Sequence, residues 1–182
     1  MKKLLVVVDM QNDFITGPLG TKEACDIVPK VANFIEDFDG KVVYTKDTHG
    51  KDYLKTQEGE RLPVEHCIEG TSGNDVVSKL VAKQFWRKNE DREDEEIKVF
   101  NKNTFGSIEL GEFLKDMSAN GLKEVHFVGV CTGICVISNA VIAKTFCPEV
   151  RIVIHKDLCA CVTPESHERA LKSMETLQMD IV

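Results

Sequence analysis

Apolar residues recur along this chain in two rhythms that alternate. Leu4 to Val8 is an unbroken apolar run, which predicts a strand buried on both faces. From Ala24 to Phe38 the apolar positions Ile27, Val31, Phe34, Ile35 and Phe38 fall at helical spacing, with Gly40 as the expected stop. Val42 to Thr45 predicts a second strand, Ile97 to Phe100 a third, Val125 to Val130 a fourth and Arg151 to Ile154 a fifth. Helices are predicted over Asn74 to Phe85, around Ile108, Leu110, Phe113, Leu114 and Met117 with Asn120-Gly121 as the stop, and from Cys135 to Phe146. Thr163-Pro164 opens a last helix with a cap residue followed by proline in the first turn.

Strands alternating with helices predict an α/β fold, a three-layer α/β/α sandwich with a mainly parallel central sheet in one domain over residues 1–182. Right-handed crossovers place the strand C-termini on one edge, where open sheets of this kind bind ligands. No glycine-rich loop follows the first strand, which disfavours a dinucleotide or P-loop site. Lys46 to Ser72 is a long irregular stretch, and loops of that length are usually functional or disordered. Asn89 to Glu96 is a charged, solvated connection. Trp86, beside it, either shelters a site or covers the sheet edge.

Charge and cysteine content narrow the function. A net charge of −7 without a basic stripe excludes a nucleic-acid partner. Asp9 interrupts the N-terminal apolar run, no cleavage site follows, and no segment approaches a membrane span, so a cytoplasmic protein without a membrane partner is expected. Seven cysteines with no C-x2-C pair are expected to be reduced and mostly buried. Cys159 and Cys161 lie two apart, so they share a face in an extended segment, and packing accounts for them better than redox chemistry.

Reactive groups cluster just after the predicted strands: Asp9, then Asp47 and His49, then Lys102, then Cys135. Cys135 is predicted to open a helix, where unpaired N–H groups and the dipole favour the thiolate. A carboxylate with a raised pKa serves as its base, and a lysine holds that carboxylate and offsets charge. The backbone N–H groups of Cys131 and Cys135 are placed to line an oxyanion hole. Asp47, His49 and His66 make a three-ligand set for a divalent metal, with Glu58 preferred over Glu60 as an auxiliary ligand. His126, His155 and His167 read as packing or surface residues.

The stretches Val7-Val8-Asp9-Met10-Gln11-Asn12-Asp13-Phe14, Lys102-Asn103-Thr104-Phe105-Gly106-Ser107 and Gly129-Val130-Cys131-Thr132-Gly133-Ile134-Cys135-Val136 occur in an order that resembles the isochorismatase-like cysteine hydrolases, and within them the nicotinamidases. The resemblance implies Asp9 as proton acceptor, Lys102 as the second triad member, Cys135 as the attacking thiol and a cis peptide before Cys131. It implies Phe14 in the substrate pocket and zinc or a similar ion at Asp47, His49 and His66, an ion that in nicotinamidases binds the pyridine nitrogen. The implied activity is cleavage of a small carboxamide through a thioester, foremost nicotinamide to nicotinate and ammonia, by a homo-oligomer. The alternatives are an amidase of the same family acting on a carbamoyl or ureido compound, an isochorismatase-type hydrolase, or a metal or thiol module without hydrolysis. Isochorismatases usually lack the nucleophilic cysteine. Thr48 and Leu62 stand where nicotinamidases commonly carry tryptophan, Gly106-Ser107 where the lysine motif commonly reads serine–alanine, and Cys131 where alanine is usual.

Overall fold

Leu4, Val6 and Val8 lie in one hydrophobic cluster and Leu5 and Val7 in another, so the first apolar run feeds both faces of a sheet. This is the physical content of a run without alternation. The computed structural model describes residues 2–85 and 97–182. Trp86 and the charged run from Asn89 to Glu96 lie outside them.

Six strands form the sheet: β1 (Lys3–Val8), β2 (Lys41–Asp47), β3 (Lys98–Lys102), β4 (Glu124–Val130), β5 (Arg151–Ala160) and β6 (Asp180–Ile181). Their order is β3-β2-β1-β4-β5-β6 and every pairing is parallel. Among the described residues seven α-helices accompany them: α1 (Asn12–Ile15), α2 (Lys22–Asp37), α3 (Gln57–Arg61), α4 (Ser78–Phe85), α5 (Ile108–Ala119), α6 (Ile137–Phe146) and α7 (Pro164–Thr176). One face of the sheet is covered by α2 and α4 through Ile27, Val31, Ile35 and Leu80. The other is covered by α5, α6 and α7 through Leu110, Leu114, Ala140, Ala143, Leu171 and Met174. The result is the expected α/β/α sandwich, with the sheet parallel throughout. No helix among the described residues is long and apolar enough to cross a membrane.

Caps behave as the residue types dictate. Thr21 accepts from the Ala24 N–H at the start of α2, and Thr163 with Ser166 forms a reciprocal capping box at α7. Gly40 is not a left-handed helix stop. The helix ends at Asp37 with Phe38 extended, and a Cβ on Gly40 would lie 2.5 Å from the Lys3 carbonyl oxygen. Gly40 is small because β1 passes beside it. Gly121 does end α5 at φ +89°.

Three strands run past their predicted C-terminal ends, and each extension includes charged residues. β2 runs on through Lys46 and Asp47, and β3 through Asn101 and Lys102. β5 continues to Ala160 across a register shift between the pairs Phe127–Ile154 and Gly129–Cys159, which absorbs His155 to Leu158. Beyond Asn74, the predicted helix starts only at Ser78. The long irregular stretch holds two single turns and α3, tied down by a bridge between His49 and Ile68.

The order of strands reverses between β1 and β4, and their C-terminal ends open the crevice where such sheets bind ligands. Asp9 leaves β1 there and Cys131 leaves β4. Leu114, fully buried beneath that sheet, tests the core. Leu114→Ala is expected to cost about 2–5 kcal/mol in chemical denaturation with an unchanged denaturant slope. A loss within about 0.5 kcal/mol would mean that α5 does not pack as described.

Candidate active site

Asp9 takes a left-handed conformation, φ +48°, directly after β1, a region aspartate tolerates better than most residues. That turn sends its carboxylate into the interior, where the residue has no exposed surface. Thr45 stands opposite Val8 in the parallel register, and its hydroxyl donates to Asp9 Oδ1 at 2.5 Å. Lys102 Nζ meets Asp9 Oδ2 at 2.7 Å.

Lys102 ends β3 in register with Asp47 at the end of β2. Its ammonium lies 3.5 Å from Asp47 Oδ1 and 3.6 Å from Cys135 Sγ. One cation therefore touches three groups delivered by three other strand ends. Burial works against charge on Lys102, but Asp9, Cys135 and Asp47 together hold its pKa above the ordinary lysine value. Burial pushes the Asp9 carboxyl up, against the pull of Lys102.

Cys135 does not open an α-helix. The peptide between Val130 and Cys131 is cis, and Thr132–Val136 forms a π-helical turn before α6 begins. The Cys131 carbonyl accepts from the N–H groups of both Ile134 and Val136. Asn139 pins the turn: its Nδ2 donates to the Cys135 carbonyl at 2.8 Å, and its Oδ1 accepts from the Ser107 N–H at 3.0 Å. Thr132 is tied at 2.8 Å to Nδ1 of His167 on α7, which gives that histidine a definite task.

The expected thiolate-favouring environment is also corrected. Burial and then the Asp9 charge push the Cys135 thiol well above its usual pKa, with only Lys102 opposing among the larger influences. Burial thus works against the anion at both Asp9 and Cys135, which compete for a proton beside Lys102.

Asp47, His49, Glu58 and His66 offer donor atoms that all lie within 4.8 Å of one another. Asp47 Oδ2 is 3.0 Å from His49 Nε2 and 3.5 Å from His66 Nε2, and Glu58 Oε1 is 4.0 Å from His49 Nε2. His66 Nδ1 donates to the Val64 carbonyl at 2.8 Å, which turns Nε2 toward Asp47 and the cluster. Although burial disfavours the Asp47 anion, donation from His49 and His66 and the charge of Lys102 hold its carboxyl below the usual range. A buried anion, two imidazoles and a second carboxylate suit a divalent transition metal.

Several supports were not foreseen. Gln11 donates to the Asp47 carbonyl at 2.8 Å and accepts from the Asp47 N–H at 2.8 Å, and Asn74 donates to the same carbonyl. Asp13 accepts from the Cys67 N–H at 2.7 Å, next to His66. The polar run Gln11-Asn12-Asp13 after an apolar strand was the available signal. Tyr53 sets its ring tilted 4.6 Å from His49 and edge-on 4.9 Å from His66. Phe14, expected in the pocket, stands against His66 at 5.5 Å between ring centroids. A cleft of about 840 Å³ opens beside the cluster, walled by His49, Tyr53, Glu58, Arg61, Thr104 and Phe105 among others. Glu60 does not join the cluster. His126 packs against Phe38 and bonds to Glu124 and His155, as expected of a packing residue.

The electrostatics make a directional prediction. Asp9→Asn removes the charge that raises the Cys135 pKa and frees Lys102 to lower it. Alkylation of Cys135 by iodoacetamide at neutral pH should accelerate, about tenfold for each unit by which the pKa falls. Slower or unchanged labelling would contradict the network.

The Isochorismatase domain model matches residues 3–182. Among solved structures, the nicotinamidase of Bacillus subtilis is similar at TM-score 0.79 and 28% identity, covering 100% of both chains. The pyrazinamidase of Pyrococcus horikoshii in complex with zinc is similar at TM-score 0.78 and 28% identity, covering 100% of this chain and 99% of that one. The N-carbamoylsarcosine amidase of Thermoplasma acidophilum is similar at TM-score 0.74 and 27% identity, covering 100% and 95%. This chain belongs to the isochorismatase family of hydrolases and is related within it to nicotinamidases and pyrazinamidases.

Proposed function

We propose that this protein is a cysteine-dependent amidohydrolase that cleaves a small carboxamide through a thioester, with nicotinamide the foremost substrate. The observation that carries the reading is the single ammonium of Lys102, 2.7 Å from Asp9 and 3.6 Å from Cys135, beside a buried metal-type donor set.

Asp9 takes the Cys135 proton as the sulfur attacks the amide carbon, so no free thiolate has to persist in the buried site. The backbone N–H groups of Cys131 and Cys135 hold the resulting oxyanion. Protonated Asp9 then donates to the departing ammonia, leaving an acyl group on sulfur. A water, deprotonated by Asp9, attacks that thioester and releases the acid and the thiol. Lys102 keeps Asp9 aligned and offsets the negative charge in each step. Asp47, His49 and His66, with Glu58 as the fourth donor, would hold the divalent ion, for which the zinc complex of the similar pyrazinamidase is the precedent. Such an ion supplies a Lewis-acid anchor for a nitrogen or oxygen of the substrate. A cytoplasmic homo-oligomer is part of the same reading.

A second reading, an amidase of a carbamoyl or ureido compound, is favoured by Thr48 and Leu62, which stand where nicotinamidases commonly carry tryptophan. The similarity to a carbamoylsarcosine amidase points the same way. Ammonia release from nicotinamide, pyrazinamide, aliphatic amides and N-carbamoyl amino acids separates the two by rank.

Cys135→Ala should lower ammonia release by more than about 10³-fold with an unchanged circular dichroism spectrum. Retained turnover would sink the mechanism. Elemental analysis of the purified protein should find a divalent transition metal, and His66→Ala should lose it. A metal-free wild-type protein that still turns over would remove the ion from the account.

A further inference from the structure

The register of β4 and β5 brings together two thiols that the proposed hydrolysis does not use as nucleophiles. Gly129 pairs with Cys159 and Val130 with Ala160, so the next residues along the two strands are Cys131 and Cys161. Both residues stand one position beyond the last pair, where neighbouring strands are about 4.7–4.9 Å apart, within the Cα separation of about 4.4–6.8 Å that a disulfide accepts. The two side chains are in hydrogen-bonding contact, while all seven cysteines are free thiols. We propose that Cys131 and Cys161 are a redox-active pair, closed to a disulfide by a hydroperoxide, beside Cys135 but separate from it.

Three local features favour Cys161 as the attacking sulfur. Donation by the Cys131 thiol, against the opposing effect of burial and with further help from Ser166 and the N–H groups of Gly133 and Val162, pulls Cys161 down to about 5. The same contact, with burial, pushes Cys131 up. The contact therefore favours the proton on Cys131 and negative charge on Cys161. Gly133 is exposed, and a Cβ placed on it would sit 3.5 Å from Cys161 Sγ. The sulfur thus lies against the backbone of an exposed glycine, within van der Waals reach of the point where a side chain there would begin.

The other candidates are placed differently. Cys135 favours its protonated form. Cys159, for which packing was the expected role, sits in the core with its thiol toward the Phe127 carbonyl, and burial pushes it up to about 12.

The chemistry balances without a cofactor. The Cys161 thiolate attacks the terminal oxygen of the hydroperoxide; the S–O bond forms, the O–O bond breaks, and the alkoxide or hydroxide leaves with a proton as alcohol or water. The Cys131 sulfur then attacks the sulfenic sulfur of Cys161. The S–S bond forms, the S–O bond breaks, and hydroxide leaves with the Cys131 proton as water. The two thiols lose two electrons and the hydroperoxide gains them. The inference does not depend on which amide, if any, the protein cleaves.

The test uses the full chain with equimolar hydrogen peroxide, an iodoacetamide quench and tryptic digestion. Residues 124–144 carry Cys131 and Cys135, and residues 157–169 carry Cys159 and Cys161, on separate tryptic peptides. The expected product is a cross-linked pair of these peptides that tandem mass spectrometry assigns to Cys131–Cys161 and dithiothreitol reverses. Cys161→Ser, folded by circular dichroism, should lose the cross-link completely and leave Cys131 open to alkylation after denaturation. A cross-link through Cys135 or Cys159, or oxidation of Cys135 or Cys25 with Cys131 and Cys161 still free, would overturn the proposal. So would recovery of all seven cysteines as free thiols.

Discussion

A lysine ammonium taken out of water must find anions, and the site is organised around that requirement at Lys102. Its partners come from the ends of other strands: Asp9 after β1, Asp47 at the end of β2 and Cys135 in the turn after β4. No two of them are neighbours in sequence. The parallel sheet is what allows this, because only a sheet with every strand pointing one way delivers four chain segments to one rim. Removing Lys102 would leave Asp9 buried without its cation, so the residue serves the fold and the site together.

Asp47 links the two halves of the site. One of its carboxylate oxygens faces Lys102, and the other faces His49 and His66. Its position is fixed through the backbone by the buried side chains of Gln11 and Asn74. Charge at the donor cluster and charge at the thiol are thereby coupled through one short bridge. A cation bound at Asp47 would screen the field that Asp9 and Cys135 feel.

Much of this was legible in the amino-acid pattern, and the rest was hidden for specific reasons. Leu4 to Val8 and Val125 to Val130 announced the sheet because their burial is uninterrupted, and Leu110 and Leu114 announced a helix packed on it. Asp9, Lys102 and Cys135 stood out as polar or reactive groups just past such runs. The tail of β2 was not visible, since Lys46 and Asp47 read as loop until the neighbouring β3 pairs with them. The second half of β5 was masked by His155, Lys156 and Asp157, which the register shift accommodates. Thr45 looked like an ordinary β-former, and its bond to Asp9 depends on which strand lies beside it. The π-helical turn reversed the expected effect on the thiol, because burial and Asp9 outweigh the backbone N–H groups there. The contact of Cys161 with Cys131 follows from cross-strand register, which one sequence does not reveal.

The central claim is that the proton competition around Lys102 makes Cys135 a nucleophile that carries the acyl group. Hydroxylamine tests it most directly, since a passage that lets ammonia leave admits a nucleophile of nearly the same size. With the amide that the protein cleaves fastest, added hydroxylamine should divert product from the carboxylic acid to the hydroxamate, while Cys135→Ala makes neither. Undiminished acid with no hydroxamate, at hydroxylamine concentrations that leave turnover intact, would mean that water attacks the amide directly and that no thioester forms.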